Sequence, residues 1–501
     1  MKISYNWLNE YLNLTTTPEQ TSEILTDIGL EVEKTEIVES VPGGLKGLVI
    51  GEVLEAEKHP DADKLKKTKV NIGSEILNIV CGAPNVDKGQ KVIVATVGTT
   101  LYTEKGESFK IKKSKIRGEE SAGMICAEDE IGLGKSHEGI MVLDSNAKIG
   151  TPAADYFDLK NDVVFDIGLT PNRADAMSHF GVARDLMVAL KHKEILPKEA
   201  QCCSPSVANW KTDNTDLNIE IEVKNMDACP RYAGVTLSGL KVAESPEWLQ
   251  KRLKAIGLSP INNIVDATNY VLHELGQPLH AFDADKIKGN KVIVQNAKNK
   301  QKFTTLDETE RELHTDDLMI CNETEPMCVA GVFGGIDSGV SSSTTSIFLE
   351  SAYFNPVSVR KTAKRQALNT DASFRFERGI DPETVIYALK RAGLLIKEIA
   401  GGTISSDIKE FYPNEIKNHQ VEFNYDNCNR LIGTEISDET IDLILKNLGI
   451  QTISKTNRDL VLEVPAFRND VLREADITEE ILRIFGFNNI PVPEKLNTSI
   501  T

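Results

Sequence analysis

From about residue 45 to residue 150 the sequence is cut by glycines into short β-type runs: Leu48–Leu54, Leu77–Cys81, Lys91–Val97 and Phe109–Ile116. Runs this short, with turn signals this frequent, are the pattern of a small β-barrel. The flanking stretches have a different period. Residues 1–40 carry Trp7, Leu8, Tyr11 and Leu12, then Ile24, Leu25 and Ile28, at helical spacing. Thr17-Pro18-Glu19 is a helix start, with Thr as cap and Pro in the first turn, and Gly29 is its stop. Helix is predicted again over 159–195, most clearly Phe180–Leu190, and residues 198–215 around Ser204-Pro205-Ser206 read as a linker. A mixed α/β stretch runs from 216 to 400. Residues 401–490 form another compact unit, with a helix Asp438–Leu448, a strand Leu460–Pro465 and a last helix near Asp476–Phe485. A chain of 501 residues built this way holds on the order of three to five domains.

The net charge of -18 argues, as a sum, against nucleic acid, because phosphate binding rests on Lys and Arg. The regional distribution differs from the sum. Lys64, Lys66, Lys67 and Lys69 form one basic cluster, and Lys110, Lys112, Lys113, Lys115 and Arg117 form a second. Alternation in Phe109-Lys110-Ile111-Lys112 places lysines on one strand face. Two interpretations stand side by side: a solvated basic strand balancing an acidic chain, or a barrel face that tracks a phosphate backbone. The eight cysteines include no Cys-x-x-Cys pair and no Cys/His cluster of zinc spacing. Scattered thiols suit a reducing compartment. Met1–Leu12 lacks a signal-peptide core, and no apolar run approaches the roughly 20 residues of a membrane span. The expectation is a cytoplasmic protein without a membrane partner.

Three short segments occur in order further along. They are Gly276-Gln277-Pro278-Leu279-His280-Ala281-Phe282-Asp283, then Leu349-Glu350-Ser351-Ala352-Tyr353-Phe354, then Asn369-Thr370-Asp371-Ala372-Ser373-Phe374-Arg375-Phe376-Glu377-Arg378-Gly379. Singly each would mean little: His280 has a bland explanation as a structural histidine and Glu350 as a local cap. Together they resemble the B3/B4 editing module of the bacterial phenylalanyl-tRNA synthetase β subunit. Asp266-Ala267-Thr268-Asn269-Tyr270 precedes them as in that family. The barrel region resembles the tRNA-binding OB module of several synthetases, through His59-Pro60-Asp61-Ala62-Asp63-Lys64-Leu65, Ile79–Val86, Lys112–Gly118 and Ser121–Cys126. The four residues Phe374-Arg375-Phe376-Glu377 also fit the core of a class II ATP-binding motif. Their surroundings belong to the β-subunit pattern.

The resemblance implies an editing pocket lined by Thr268, Asn269, His280, Gly331, Gly334, Gly335 and Glu350, with Thr370 and Ala372 completing the wall. The residue types suit the task. Tyrosine exceeds phenylalanine by one hydroxyl, which a hydrophobic synthetic pocket rejects poorly. A second pocket with a carboxylate can demand that hydroxyl, and a phenylalanyl ester would leave Glu350 unpaired at a cost of about 1–3 kcal/mol. Backbone N–H groups of the Gly334-Gly335 turn are candidates for holding the ester oxyanion. His280 is a candidate base, water-positioning group or contact to the tRNA terminus.

Near the end, Asp470, Asp476, Glu479 and Glu480 follow Pro465-Ala466-Phe467-Arg468-Asn469. On a helix from Ala475, Asp476, Glu479 and Glu480 share a face. This is either an acidic helix start or an oxygen-only site for a hard cation. The resemblance implies the latter, a Mg²⁺ site of the B5 domain.

The expected fold is therefore multidomain α+β. An OB-fold barrel (41–150) is inserted in an N-terminal α/β domain (1–40 plus 151–200). A B3/B4 editing domain (210–400) and a B5 domain with helix-turn-helix-like character (401–490) follow, then a tail (491–501). The implied role is that of a synthetase subunit. It would bind tRNA(Phe) through Lys64, Lys66, Lys112, Lys113, Lys115 and Arg117 and hydrolyse tyrosyl-tRNA(Phe). ATP-dependent phenylalanine attachment would lie on an α partner in an α2β2 tetramer. The catalytic-like and anticodon-binding domains usual in the family are not in this sequence, so a fragment or a shortened form is expected.

Overall fold

The computed structural model describes residues 1–102, 108–134 and 136–491; the tail beyond Pro491 lies outside the described residues. The chain divides into two compact units, Ile37–Val163 and Met1–Glu36 with Val164–Thr501.

The smaller unit is a barrel-like antiparallel sheet. Its strand order is Gly123–Ile125, Lys91–Thr96, Leu48–His59, Ala62–Asn71, Ile76–Cys81, with Val142–Leu143 also on Lys91–Thr96. The two ends of that path approach each other: Ala122 N donates to Asn78 O at 2.8 Å, and Gly123 faces Leu77 and Ile79. The strand Lys91–Thr96 is buried along its middle, which is why its four central residues are all apolar rather than alternating. The strand Ala62–Asn71 was not anticipated. Its sequence is dominated by lysines, and only Thr68 and Val70 are buried. The alternation expected over Phe109–Lys112 is cut short: the strand Ser108–Lys110 is exposed throughout, Ile111 turns inward, and a separate strand begins at Ser114.

In the larger unit, Thr17 caps the helix Pro18–Asp27 in a full capping box with Gln20, as the sequence predicts. Helix was expected throughout 159–195, but Asp162–Gly168 is a strand lying between Lys2–Ser4 and Glu31–Val38. Its Val-Val-Phe-Asp-Ile run favours the pleated form. The helix His179–His192 follows.

The central module stacks two five-stranded sheets. One has the order Leu279–Asp283, Ser346–Tyr353, Arg231–Ser238, Thr403–Ile404, with Lys409–Phe411 beside Arg231–Ser238. The other runs Glu220–Val223, Lys291–Asn296, Leu318–Cys321, Pro326–Val329, Phe333–Gly334. Tyr232, Phe282 and Phe348 from the first sheet and Val294, Met319 and Val329 from the second share one core. The helices Asn263–Leu275 and Thr384–Ala400 lie on the far side of the first sheet, where Ser351 Oγ donates to Val385 O at 2.8 Å. Asn262 starts the former helix by accepting from Ile264 N and Val265 N, and Gly276 ends it in the left-handed conformation. A last subdomain pairs His419–Asn424, Asp459–Val464 and Gln451–Thr456 with the helices Tyr425–Ile432, Asp438–Asn447 and Glu474–Phe485.

Candidate active site

Two of the three sequence segments meet on adjacent strands. His280 on Leu279–Asp283 lies directly opposite Glu350 on Ser346–Tyr353, and Glu350 lies opposite Gly234 on Arg231–Ser238. Directly opposed residues share a sheet face, so His280 and Glu350 both point toward the second sheet. That sheet supplies Gly334. A methyl group added to Gly334 would stand 3.0 Å from His280 Cε1 and 2.9 Å from Leu306 Cδ1, so only glycine lets the histidine ring pack there. The third segment closes in through Thr370. Its Oγ1 caps the helix Asp371–Phe376 by accepting from Ser373 N and donates to Val332 O at 2.8 Å. Ala372 is half-buried against the shared core.

Glu350 is 6% exposed. Burial pushes its carboxyl up to about 7. Tyr232 Oη donates to Glu350 Oε2 at 2.5 Å and partly offsets that rise. His280 is pushed down to about 4 by burial, so its ring is neutral at physiological pH. Its Nε2 is buried and has no hydrogen-bond partner among the described residues. A buried orphan nitrogen is uncommon, and here it sits beside a carboxylate that already accepts a phenol.

The remaining predicted residues are placed differently. Gly334-Gly335 is not a turn but the end of the strand Phe333–Gly334, and Gly335 N donates to Met327 O at 2.9 Å. That amide is therefore committed to the sheet, which corrects its expected role as an oxyanion donor. Thr268 and Asn269 ride on the helix Asn263–Leu275. Thr268 Oγ1 donates within that helix to Val265 O at 2.7 Å, as helical threonines do. Gly331 adopts φ 67°, and a side chain there would strike Phe354 and Val359. Sequence inspection missed Tyr232: it lies far upstream in a strand with no motif, and only strand pairing brings it to Glu350.

The buried pair makes a testable prediction about pH and stability. Between about 4.5 and 7 the folded state keeps a proton on Glu350 that the unfolded chain releases, so stability falls as pH rises through that window. His280 acts in the opposite sense. The unfolded chain takes up a proton below 6.5 that the folded ring refuses until about 4, so stability falls as pH drops through that window. Glu350→Gln is expected to abolish the first effect alone. Its urea midpoint, measured at pH 5 and pH 7.5, should rise relative to wild type at the higher pH.

The four C-terminal carboxylates do not converge. Asp470 and Glu480 are held by Arg468, and Glu480 also by Arg483. Asp476 accepts from Leu472 N, Arg473 N and the Arg473 side chain, and Glu479 is exposed while Glu480 is buried. Among the described residues no group of three or more His, Cys, Asp or Glu is placed to hold a metal ion. As arranged here, these carboxylates do not gather into the site expected for Mg²⁺. The physical reason is charge: guanidinium groups already neutralise three of the four, Asp470, Asp476 and Glu480.

On the barrel, Lys64, Lys112, Lys113, Lys115 and Arg117 are exposed. Lys113 pairs with Glu120. Lys66 is half-buried and donates to Val86 O at 2.6 Å, which makes it structural. Arg117 reaches Asp61 O at 3.4 Å. No described residue forms an ion pair with Lys64, Lys112 or Lys115.

Three family models match in the expected order: a putative tRNA binding domain over 48–152, a B3/4 domain over 228–401 and a tRNA synthetase B5 domain over 421–487. The phenylalanine–tRNA ligase β subunit of Bacteroides thetaiotaomicron is 56% identical over 502 aligned residues, covering 100% of this chain and 61% of that protein. The Porphyromonas gingivalis protein of the same name is 52% identical with the same coverage, and that of Geobacter sulfurreducens is 43% identical over 98% of this chain and 59% of its own length. The chain thus spans about 61% of the length of the first relatives it matches. No helix among the described residues is long and apolar enough to cross a membrane. With whole-chain identity and three matching domains in one order, the chain is similar over its full length to the phenylalanine–tRNA ligase β subunits.

Proposed function

We propose that this chain serves as the tRNA-binding and editing part of a phenylalanine–tRNA ligase. In this role it hydrolyses tyrosyl-tRNA(Phe) made in error, while a catalytic α subunit in an α2β2 assembly binds ATP and attaches phenylalanine in the cytoplasm. The observation that carries the reading is Glu350. Its buried carboxyl already accepts a phenolic hydroxyl, that of Tyr232, beside a neutral histidine with a free ring nitrogen. A tyrosyl side chain offers the same phenol to the same carboxylate. A phenylalanyl side chain offers nothing, leaving the group desolvated and underpaired.

The chemistry needs little more. Water adds to the ester carbonyl carbon, the bond from that carbon to the ribose oxygen breaks, and the water proton goes to the departing ribose oxygen. In this reading His280 Nε2 accepts a hydrogen bond from the water or from a ribose hydroxyl of the terminal nucleotide.

His280→Ala should slow clearance of tyrosyl-tRNA(Phe) by the assembled enzyme while synthesis of phenylalanyl-tRNA continues. Unchanged clearance would remove His280 from the site. On the barrel, Lys112→Glu with Lys115→Glu should weaken tRNA binding and flatten its salt dependence, by about 0.7–0.9 in log–log slope per lost phosphate contact. A tRNA affinity and slope equal to wild type would leave the solvated-strand interpretation.

A further inference from the structure

The helix Pro356–Gln366 carries a basic face that the editing chemistry does not use. Arg360, Lys361 and Lys364 are exposed. No described residue forms an ion pair or side-chain hydrogen bond with any of them, whereas the neighbouring Arg365 is tied to Asp317 and Asp316. Arg360 and Lys364 stand one turn apart on one side, about 6 Å along the axis, and Lys361 lies between them and the next turn. Three unneutralised cations in a row are a local reversal on a chain of net charge -18.

Their position ties them to the site. The opposite, buried face of the same helix presents Val359, whose Cγ2 packs at Gly331. Gly331 leads into Val332, the acceptor of the Thr370 hydroxyl, and Gly334, the neighbour of His280. The helix ends at Ala367, in the left-handed conformation, and the chain runs within a few residues to Thr370 and Ala372. The wall of the site and the basic stripe are thus two faces of one short segment.

We infer that this face is a track for the phosphodiester backbone of the RNA whose aminoacyl ester enters the Glu350 site. The inference rests on the proposed editing function. An ester on a polyanion cannot reach a buried carboxylate without its phosphates passing over the surrounding surface, and a stripe of fixed cations lowers the cost of that approach. Lys and Arg without competing carboxylates serve this end without reading sequence.

The test uses the full chain with Arg360, Lys361 and Lys364 all changed to Glu. A control of equal charge change reverses Lys198, Lys211 and Lys446, which are exposed elsewhere in the same unit. Affinity for uncharged tRNA(Phe) is measured against salt. The log–log slope of the helix variant should fall by about 2, from roughly 0.7 per single-strand contact, while the control keeps the wild-type slope. With tyrosyl-tRNA(Phe), KM should rise at least tenfold. A slope equal to that of the control overturns the inference. So does an unchanged slope accompanied by lost association with the catalytic α subunit, which would assign the face to a protein partner. Because the binding arm requires no hydrolysis, an inactive wild-type chain would contradict the editing function and still leave the helix decided by its slope.

Discussion

Arg483→Met is expected to destabilise the larger unit by about 3–5 kcal/mol, the usual cost of removing one partner from a buried ion pair. The Arg483 guanidinium lies between the helices His179–His192 and Glu474–Phe485. It donates to Asp185 Oδ1 at 2.8 Å and Oδ2 at 2.9 Å, and to Glu480 Oε1 at 3.0 Å and Oε2 at 2.6 Å. Asp185 also accepts from Arg173, which forks onto Asp175, and Glu480 from Arg468, which forks onto Asp470. The side chains of Arg483, Asp185 and Glu480 are all about 4–5% exposed. Loss of the arginine leaves each buried carboxylate with a single guanidinium partner, Asp185 with Arg173 and Glu480 with Arg468. Tryptophan fluorescence isolates the event, because Trp7, Trp210 and Trp248 all fall in the larger unit. Breaking the exposed Lys455–Asp442 pair by Lys455→Met should cost less than about 1 kcal/mol. The guanidiniums hold the Glu480 carboxyl well below the usual carboxylate range. Its contribution is therefore present above the unfolded value of about 4.5 and lost as pH falls below it. A loss under 1 kcal/mol for Arg483→Met would contradict this account.

The second large effect concerns discrimination. Glu350→Gln should lower release of tyrosine from tyrosyl-tRNA(Phe) by about 10- to 100-fold, equivalent to the 1–3 kcal/mol of a buried polar group left mispaired. The slow release of phenylalanine should change little, so the ratio collapses rather than both rates falling together. Tyr232→Phe tests the same carboxylate from its other side. Without the phenol, which now lowers it, the Glu350 carboxyl should titrate above its present value of about 7. The pH at which tyrosyl release reaches half its maximum should move upward with it. A purely structural Tyr232 would cost stability and leave that pH in place.

Legibility in the sequence followed the range of the interactions. The Thr17 cap and the barrel's apolar runs are set by neighbours a few residues away. His280, Glu350 and Gly334 were found as an ordered set, and the sheets do bring them together. Tyr232 was not legible, because its partner is 118 residues away and its own strand is uniformly buried. The partners of the C-terminal carboxylates were equally out of reach of the sequence. Helical spacing placed Asp476, Glu479 and Glu480 on one side, but Glu480 is fixed by Arg468, 12 residues upstream, and by Arg483, which reaches Asp185 across 298 residues of sequence. Local spacing defines a face; distant charges decide whether that face holds a cation or a guanidinium.

The central claim, that Glu350 selects a phenol on an ester-linked amino acid, is most directly tested by single-turnover deacylation. Preformed tyrosyl-tRNA(Phe) and phenylalanyl-tRNA(Phe) would be incubated separately with this chain alone, in excess. The account predicts rapid release of tyrosine, with phenylalanine left on its tRNA. Equal release of both amino acids, or release of neither while tRNA binding persists, would contradict it.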